Sequence, residues 1–523
     1  MSVVETKKDV VIIGAGHNGL VAACYLAKAG RSVTICESAD HVGGAAVSAE
    51  VFPGVAARLS KYSYLVSLLP ESVRADLGME LTTVKRSVSS FTPDPLDPTR
   101  SLSIPHDNEG ELRRRIASFT GNETDAQQWI DFYSRTQRVA EKVFLTLTQP
   151  LMSREDMREL VGNDQDWNDF FERPIGEVIE NSITNDVLRG IILTDALIGN
   201  FADALGEDLR ANICFLYHVI GNGTGDWDVP VGGMGQVTGQ LEAIARSLGV
   251  HIELSTPVIS VEPHENSVRV TTGSETHSVQ YSAQYLLVNA APAALAGLLG
   301  EPNPQISLAD GGAQIKVNML LSRLPRLLGG DSLEAFNGTF HINEGYEQLQ
   351  RAFANATAGE MPDPLPAEIY CHSLTDPSIL SPELQAQGVQ TLTLFALHTP
   401  HELFVREMNP YTREDAKVAV LKTLNSVLAE PIEDCLYRDE HGNICMEVNT
   451  TVDIENSLGI ATGNIFHTPL GWPWASSPAE VGSWGVETGH PRVFLCGSGA
   501  ARGGGVSGIP GHNAAMALIS ASE

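Results

Sequence analysis

The sequence DVVIIGAGHNGL occupies residues 9–20 and predicts a strand, a glycine turn and the start of a helix. The run at 10–13 is short, β-branched and uninterrupted, as expected for a strand buried on both faces. Gly14 allows the tight turn, Gly16 removes a side chain where a pyrophosphate would approach, and Gly19 lets the helix pack closely on the strand. The N–H groups at the start of the helix favour phosphate binding.

A second apolar strand ends at Glu37, about twenty residues after the turn, where a carboxylate can accept both ribose hydroxyls of an adenosine. A glycine turn alone is weak evidence, because such turns are common and most hold no ligand. Here the strand, turn, helix, second strand and acid are in register, which predicts dinucleotide binding. The predicted contacts are Gly14, Ala15, Gly16, His17, Asn18, Gly19, Glu37 and Ser38.

The chain is long and acidic. Its 523 residues suggest two or three domains. The net charge of -30, from 64 acidic and 34 basic residues, argues against nucleic acid or an anionic membrane surface as a main partner. An even scatter of acids also fits a simple role in solubility. We therefore expect a small-molecule partner and no nucleic acid.

Seven cysteines are scattered without a C-x-x-C pair, which indicates neither a disulfide framework nor a zinc site. No apolar run approaches the roughly eighteen residues that a membrane-spanning helix needs. The first eight residues are polar and leave no room for the apolar region of a signal peptide. We expect a cytoplasmic protein with at most peripheral membrane contact.

A second glycine pair, Gly43 and Gly44, follows Glu37 closely, and here the chain resembles the FAD-dependent amine oxidase and phytoene desaturase superfamily. In that superfamily the pair lies over the FAD pyrophosphate, so the resemblance implies contacts from Gly43, Gly44 and Ala45. Many members have arginine at the last position. Ala45 stands there in this chain, so its contacts would come from the backbone.

The resemblance covers the whole chain and is strongest at residues 9–70, 228–292 and 453–518. It implies an α/β fold, with a Rossmann-like FAD-binding domain of the glutathione-reductase and amine-oxidase type and an α+β substrate domain. The predicted FAD-binding domain is discontinuous, at 1–75, 226–304 and 453–523. The predicted substrate domain comprises 76–225, a helical insertion, and 305–452.

Two further segments would complete the FAD site. Residues 256–261 and 267–272 predict a hairpin in which the resemblance gives Val258 a backbone contact with FAD, although Val258 could equally be a core strand residue. Near the C-terminus, an apolar strand at 493–496 precedes two glycine turns and a final helix. The resemblance implies contacts from Gly497, Ser498, Gly505, Val506 and Ser507, and a helix N-terminus directed at the flavin.

Two residues are candidates near the reacting centre. Lys316 lies in an apolar strand, and a buried lysine is costly without a partner. Similar amine oxidases have a lysine on the matching strand, but Lys316 could also lie on an edge or reach solvent. His467 ends a passage that closely resembles the phytoene-desaturase-like subgroup including pyridine nucleotide-disulfide oxidoreductase domain-containing protein 2. That resemblance implies that His467 faces the flavin or the substrate.

Beyond His467 the chain departs from this subgroup. Trp472 and Trp474 could form a flat apolar wall for a substrate, and a surface loop is about equally compatible with the sequence. Near the C-terminus, Ala501 and Arg502 stand where phytoene desaturases usually have a Thr-His pair. Histidines 341, 372 and 398 lack metal-ligand spacing, so we predict no metal site.

Together these features predict an FAD-dependent oxidoreductase in which flavin N5 removes hydride from a C–H bond of a hydrophobic substrate, as in a desaturase. Flavin supplies this chemistry itself, consistent with the lack of a recognisable catalytic triad. Three alternatives remain open: an amine oxidase, a flavin-dependent isomerase, and a non-catalytic protein that binds prenylated cargo, as Rab GDP-dissociation inhibitors do. Retention of the glycine turns disfavours the last.

Overall fold

The computed structural model describes residues 5–274, 277–302, 307 and 310–521. Its strands are β1 (Glu5–Ile13), β2 (Val33–Cys36), β3 (Ser48–Glu50), β4 (Arg58–Ser60), β5 (Thr83–Val84), β6 (Val88–Asp94), β7 (Asp97–Pro105), β8 (Val229–Pro230), β9 (His251–Glu253), β10 (Val258–Pro263), β11 (Val268–Ser274), β12 (His277–Val288), β13 (Ile315–Leu321), β14 (Thr339–Ile342), β15 (Ala367–Tyr370), β16 (Gln390–Ala396), β17 (Met446–Asn449) and β18 (Val493–Leu495).

The α-helices are α1 (His17–Lys28), α2 (Glu71–Leu77), α3 (Glu109–Thr120), α4 (Glu123–Val143), α5 (Arg154–Val161), α6 (Asp164–Phe171), α7 (Ile175–Ser182), α8 (Asp186–Thr194), α9 (Arg210–Val219), α10 (Gly235–Ser247), α11 (Pro292–Leu299), α12 (Ser332–Phe336), α13 (Tyr346–Thr357), α14 (His372–Thr375), α15 (Pro382–Ala386), α16 (Glu402–Val405), α17 (Arg413–Asn425), α18 (Thr451–Leu458) and α19 (Ile509–Ser520).

The first seven-stranded sheet contains the N-terminal strand. Its order is β10-β11-β12-β1-β2-β9, with β18 also paired to β12. β1 is parallel to both β12 and β2, and Val10, Val11 and Ile12 are at most 1% exposed. This burial explains the uninterrupted apolar run, because one face of β1 packs against α1, α10 and α19 and the other against β10, β11 and α11. The predicted hairpin is confirmed as the antiparallel pair β10 and β11.

The second seven-stranded sheet has the order β17-β13-β16-β15-β14-β6-β7. Every residue of β13 is buried, and β13 pairs antiparallel with β16 and β17. This sheet is therefore assembled from residues 88–105 and 315–449.

Seven helices, α3 to α9, lie between β7 and β8 in the chain and confirm the helical character expected there. They form an aromatic core around Phe132, Trp167, Phe171 and Phe215, each at most 2% exposed. α4 shows why the segment is helical: Asn122 caps its N-terminus by accepting from the Thr124 N–H, and its apolar residues recur on one face.

Three helices pack around the parallel strands of the first sheet. α1 follows the glycine turn and contacts α10 and α19. All seven cysteines are buried and free. Among the described residues, no helix is long and apolar enough to cross a membrane. The domain boundary predicted at 304 and 305 lies outside the described residues.

Candidate active site

The glycine turn after β1 forms a cradle with bare backbone. Gly14 has a φ of +92°, which favours glycine. A Cβ on Gly19 would lie 2.3 Å from the Gly14 oxygen, so α1 packs on the turn only because residue 19 has no side chain. A Cβ on Gly16 would lie 2.8 Å from the Asn289 side chain. The role predicted for Gly19 in close packing matches this geometry.

Glu37 fastens the cradle to the end of β2. Its Oε2 accepts from the Ala15 N–H at 2.6 Å, and its Oε1 accepts from the Ala39 N–H at 2.9 Å. The Ser38 hydroxyl donates to the same Oε1 at 3.3 Å. Charge-assisted bonds of this kind hold a carboxylate firmly. Glu37 is thus fixed at the cavity edge, where we predicted the ribose site.

The second glycine pair lies against the first turn. The Gly43 N–H donates to the Ala15 oxygen at 2.9 Å, and Gly43 forms an isolated bridge with Gly16. Gly43 and Gly44 have φ values of +124° and +56°. The two turns therefore meet, although 24 or more residues separate their glycines in the chain. Sequence similarity placed both at one pyrophosphate site, and the fold brings them together.

The C-terminal turns close the opposite side of the site. Gly497 approaches Asn289, since a Cβ there would lie 3.0 Å from its Oδ1. Gly505 lies against the Tyr217 hydroxyl, which an added Cβ would meet at 2.0 Å. Gly508 is the N-cap residue of α19 and has no side chain that could cap the helix. At this end of α19 the Ile509 N–H donates to the Ser507 hydroxyl at 3.3 Å, and both residues line a separate, smaller chamber.

One cavity of about 1010 Å³ runs along all of these segments. Its volume is at the upper end of the ~300–1,000 Å³ usual for ligand pockets. Thirteen of the predicted site residues line it: Gly14, Gly16, His17, Glu37, Ser38, Gly44, Ala45, Val258, Lys316, His467, Ser498, Gly505 and Val506. Ala15, Asn18, Gly19, Gly43 and Gly497 support the lining from behind.

Lys316 lies on β13, an interior strand of the second sheet, and is 3% exposed. Its Nζ donates to the Ser60 oxygen at 3.0 Å and lies 5.1 Å from the centroid of the Phe395 ring. Burial lowers the pKa of Lys316 well below its usual value, with Glu447 opposing the shift. The lysine is therefore neither on an edge nor in solvent, and it faces the cavity with a weakened preference for its charged form.

Two histidine side chains that are far apart in the sequence line the cavity. His17 Nε2 and His467 Nδ1 are buried without hydrogen-bond partners among the described residues. Burial lowers the pKa of each to about 4, so both rings are neutral at pH 7. His467 also has a φ of +68°, an uncommon conformation for a residue with a side chain. Unpaired buried nitrogens in a cavity wall are ready to bond a ligand.

The two tryptophans lie elsewhere. Trp472 and Trp474 stack with ring centroids 4.8 Å apart, and Trp474 also contacts Trp167 and Phe171. Trp474 is 7% exposed within the helical core, and neither ring lines the cavity. The structure therefore does not bring this pair to the predicted substrate wall, because the aromatic core of the insertion already occupies their faces.

Several cavity residues escaped the sequence analysis. Gln314 is 2% exposed and neither atom of its amide has a partner among the described residues. Tyr64 and Phe395 pack with centroids 4.3 Å apart, and Tyr217 and Trp227 also line the wall. The sequence held one signal for this residue: Gln314 is polar and directly precedes the apolar strand that carries Lys316. A polar residue at the start of a buried strand is unusual.

A smaller chamber of about 320 Å³ adjoins the main cavity. Tyr217 and Ser498 line both spaces, and Ser507 lines the smaller one. Its other walls are mostly apolar and include Leu68, Leu147, Ile213, Leu216, Ile220 and Leu470. Arg502 also contributes, but its guanidinium is turned to the carbonyls of Thr146, Gln149 and Trp484.

The residues present fit an FAD molecule. The cradle at Gly14 and Gly16 and the fixed Glu37 suit an adenosine and its pyrophosphate. The unpartnered atoms of His17, Gln314 and His467 are polar groups in the cavity wall with unmet hydrogen bonds. These two features lie in one continuous cavity, as an extended dinucleotide requires.

Comparison with known proteins agrees with this geometry. The family model for flavin containing amine oxidoreductase matches residues 19–353. An uncharacterized protein of Mycobacterium tuberculosis is 47% identical over 98% of this chain and 97% of its own length. Pyridine nucleotide-disulfide oxidoreductase domain-containing protein 2 of Rattus norvegicus is 28% identical over 97% of this chain and 92% of its own. A 4,4'-diaponeurosporene oxygenase of Staphylococcus aureus is 25% identical over 51% and 53% of the two chains.

Among solved structures, a cysteine variant of putrescine oxidase superposes with a TM-score of 0.60. The alignment covers 99% of this chain and all of that one at 17% identity, which establishes a shared fold. The family match extends over more than half of the chain and includes the helix of the glycine cradle. The chain therefore belongs to the flavin containing amine oxidoreductase family and is an FAD-dependent oxidoreductase.

Proposed function

We propose that this enzyme removes two hydrogens from a hydrophobic chain and so introduces a double bond. The observation that carries the proposal is the apolar side chamber next to the main cavity. FAD accepts hydride when it is bound. The chamber would hold the part of a long substrate that does not react, because burying apolar surface favours binding by roughly 25 cal/mol per Å².

The polar groups of the main cavity fit the same chemistry. Desaturation releases one hydrogen as hydride and one as a proton. His17 and His467 are neutral at pH 7 and each has an unpaired ring nitrogen, so either ring can hydrogen-bond a substrate or a water that carries the proton away, although burial makes both rings weak bases. Tyr217 lies between cavity and chamber and would position the chain as it passes from one to the other.

The division into a cofactor-binding domain and a substrate domain remains part of the proposal. It is supported by the origin of the strands. The first sheet draws its strands from segments 1–75, 226–304 and 453–523, and the second from 76–225 and 305–452. The predicted contacts of individual residues with FAD also remain proposals, supported by their places along the cavity.

Amine oxidation is a second candidate, and Lys316 favours it. The buried amine lies over Phe395, which packs against Tyr64 in the cavity wall. Similar amine oxidases have a lysine on the matching strand. The likeness to putrescine oxidase is a likeness of fold and adds no substrate. Both candidates require hydride removal, and they differ in the polarity of the substrate.

A chamber-filling variant distinguishes them. Ile213→Trp would fill the chamber, and the matched control Leu160→Trp changes a residue that is 38% exposed and lines neither space. FAD-loaded proteins would be mixed anaerobically with a linear polyene or with a primary alkylamine, and loss of oxidised-flavin absorbance followed. We expect reduction by the polyene alone, slowed at least ~10-fold in Ile213→Trp. Reduction by the amine alone, unaffected by the substitution, would overturn the proposal.

A further inference from the structure

A cluster of ionisable side chains is buried behind the cavity wall. His341 lies on β14, Glu344 two residues beyond its end, and Glu368 on the neighbouring strand β15. Their exposed fractions are 5%, 0% and 2%. One ligand atom from each residue lies within 4.8 Å of those from the other two. Buried acids are rare unless they are paired or bind a metal.

The hydrogen bonds of the cluster leave one oxygen unused. His341 Nδ1 and Glu344 Oε2 lie 2.5 Å apart, and the Thr194 hydroxyl donates to the same Oε2 at 2.8 Å. The Tyr370 hydroxyl donates to Glu368 Oε2 at 2.8 Å. Glu344 Oε1 has no hydrogen-bond partner among the described residues, although the side chain is fully buried. A wholly buried carboxylate oxygen without a partner calls for an explanation.

The charges around the cluster are also out of balance. Asp195 interacts with His341 and Glu344, which brings the carboxyl groups to three. Arg86 interacts with Glu368 and is the permanent cation beside the cluster among the described residues. If all three carboxyl groups were ionised and His341 were neutral, they and the Arg86 guanidinium would sum to -2. Burial opposes that state, because it raises the pKa of Asp195 to about 7 and that of Glu368 to about 8. Either two protons or one divalent cation would restore neutrality.

We propose that His341, Glu344 and Glu368 bind a divalent first-row metal ion. An imidazole nitrogen with two carboxylate oxygens suits Zn²⁺, Mn²⁺ or Fe²⁺. Ligands at about 2.1 Å from one ion lie no more than about 4.2 Å apart, so the three groups need to close by less than about an ångström. His341 and Glu344 would separate slightly and exchange their mutual bond for bonds to the metal.

The role of this ion is structural. All three ligands are buried and none of them lines the main cavity, so a bound ion would not reach a substrate there. The ion would join β14 to β15 and lie behind the Tyr370 ring, which packs on Tyr64 of the cavity wall with centroids 4.6 Å apart. The ligands lie at positions i and i+3 and on a second strand 24 residues later. Histidine spacing alone therefore gave no sign of the site.

Metal content and thermal unfolding of the FAD-loaded protein test the proposal. We expect about one Zn²⁺, Mn²⁺ or Fe²⁺ per chain by mass spectrometry, and a Tm that falls after chelation and recovers when the same ion is restored. Glu344→Gln and Glu368→Gln should each lower metal content more than ~10-fold. The control Glu347→Gln, whose side chain is 78% exposed, should retain the metal.

The wild-type measurement decides the matter even if the variants fail to fold. A wild-type protein that contains no such metal, and whose Tm is unchanged by added Zn²⁺, Mn²⁺ or Fe²⁺ after chelation, would contradict the proposal. The cluster would then be neutralised by two protons. Neither outcome depends on the identity of the substrate.

Discussion

The two seven-stranded sheets place functional groups in different ways. The first sheet builds its cradle from a continuous stretch, where Gly14, Gly16 and Gly19 lie within six residues. The second sheet brings together groups from distant strands, such as Lys316 with Phe395, or His341 with Glu368. The first site depends on backbone geometry and the second on the burial of charge. Substitutions in the first sheet should therefore act through backbone packing, and substitutions in the second through buried charged groups.

The largest effect is expected in the cradle. Gly19→Val would place a branched side chain where even a Cβ lies 2.3 Å from the Gly14 oxygen. A backbone oxygen cannot move aside cheaply, so we expect a cost above the ~1–3 kcal/mol typical of overpacking and no folded flavoprotein. Soluble yield and bound flavin absorbance would report this.

Gly297→Ala is the matched control for that variant. Gly297 lies in α11, and nothing lies within 4 Å of an added Cβ. We expect unchanged flavin content and a gain of roughly 0.5–1 kcal/mol, because alanine is the better helix former. A Gly19→Val protein that binds FAD like the wild type would show that the cradle does not require this close packing.

The next effect is expected in the second sheet. Lys316→Met keeps most of the side-chain volume and removes the amine. Because the amine is buried at a cost, stability should hold or rise, while flavin reduction should slow by about 100-fold if Lys316 moves protons in the reaction. Stopped-flow reduction and chemical denaturation measure the two quantities separately. Lys417→Met, at an exposed site, should change neither.

An unchanged reduction rate in Lys316→Met would remove this residue from the chemistry. It would leave the lysine as a link between β13 and the Ser60 carbonyl. The second sheet would then serve mainly to enclose the cavity.

A smaller effect is expected from Glu37→Gln. Both carboxylate oxygens accept from backbone N–H groups, and the NH₂ of glutamine would face one of those donors. Hydrogen bonds to charged groups contribute ~1.5–3 kcal/mol, so the Kd for FAD should rise about 10–100-fold. Calorimetric titration of the apoprotein measures it, with the exposed Glu50→Gln as control. Equal affinities would show that Glu37 does not hold the cofactor site.

An effect of similar size is expected from pH. The pKa of His17 is lowered to about 4 by burial, so its neutral form stabilises the fold above the unfolded value near 6.5, and this stability is lost as the pH falls towards 4. Between pH 7 and pH 4.5 this loss is about 2–3 kcal/mol, and His17→Gln should lack it. Urea unfolding of both proteins at the two pH values measures the difference, and equal losses would contradict it.

The sequence predicted the first sheet well because its signals are local. A glycine turn, an apolar run and Glu37 lie within about thirty residues, and in register they predict one structure although each alone is weak evidence. It placed Lys316 in an apolar strand for the same reason, and left open whether the lysine is buried or reaches solvent. Trp472 and Trp474 show the limit, since an aromatic pair suits a cavity wall and a helical core equally well. Their contacts with α6 show that the two rings belong to the helical core.

The remaining site residues could not be found from local patterns. Tyr64, Tyr217 and Phe395 meet in the cavity wall through contacts between separate chain segments. Glu344 and Glu368 belong to different structural elements, and neither has a motif around it. Their burial depends on the order of strands in the second sheet, which pairing rules leave open.

Reoxidation of the reduced enzyme tests the proposed desaturation most directly. The bound flavin would be photoreduced anaerobically, then mixed with oxygen or with a quinone, and the two rates of return of flavin absorbance compared. A dehydrogenase of hydrophobic chains should pass its electrons rapidly to the quinone and only slowly to oxygen. Rapid reaction with oxygen and none with the quinone would contradict the proposal and indicate an oxidase.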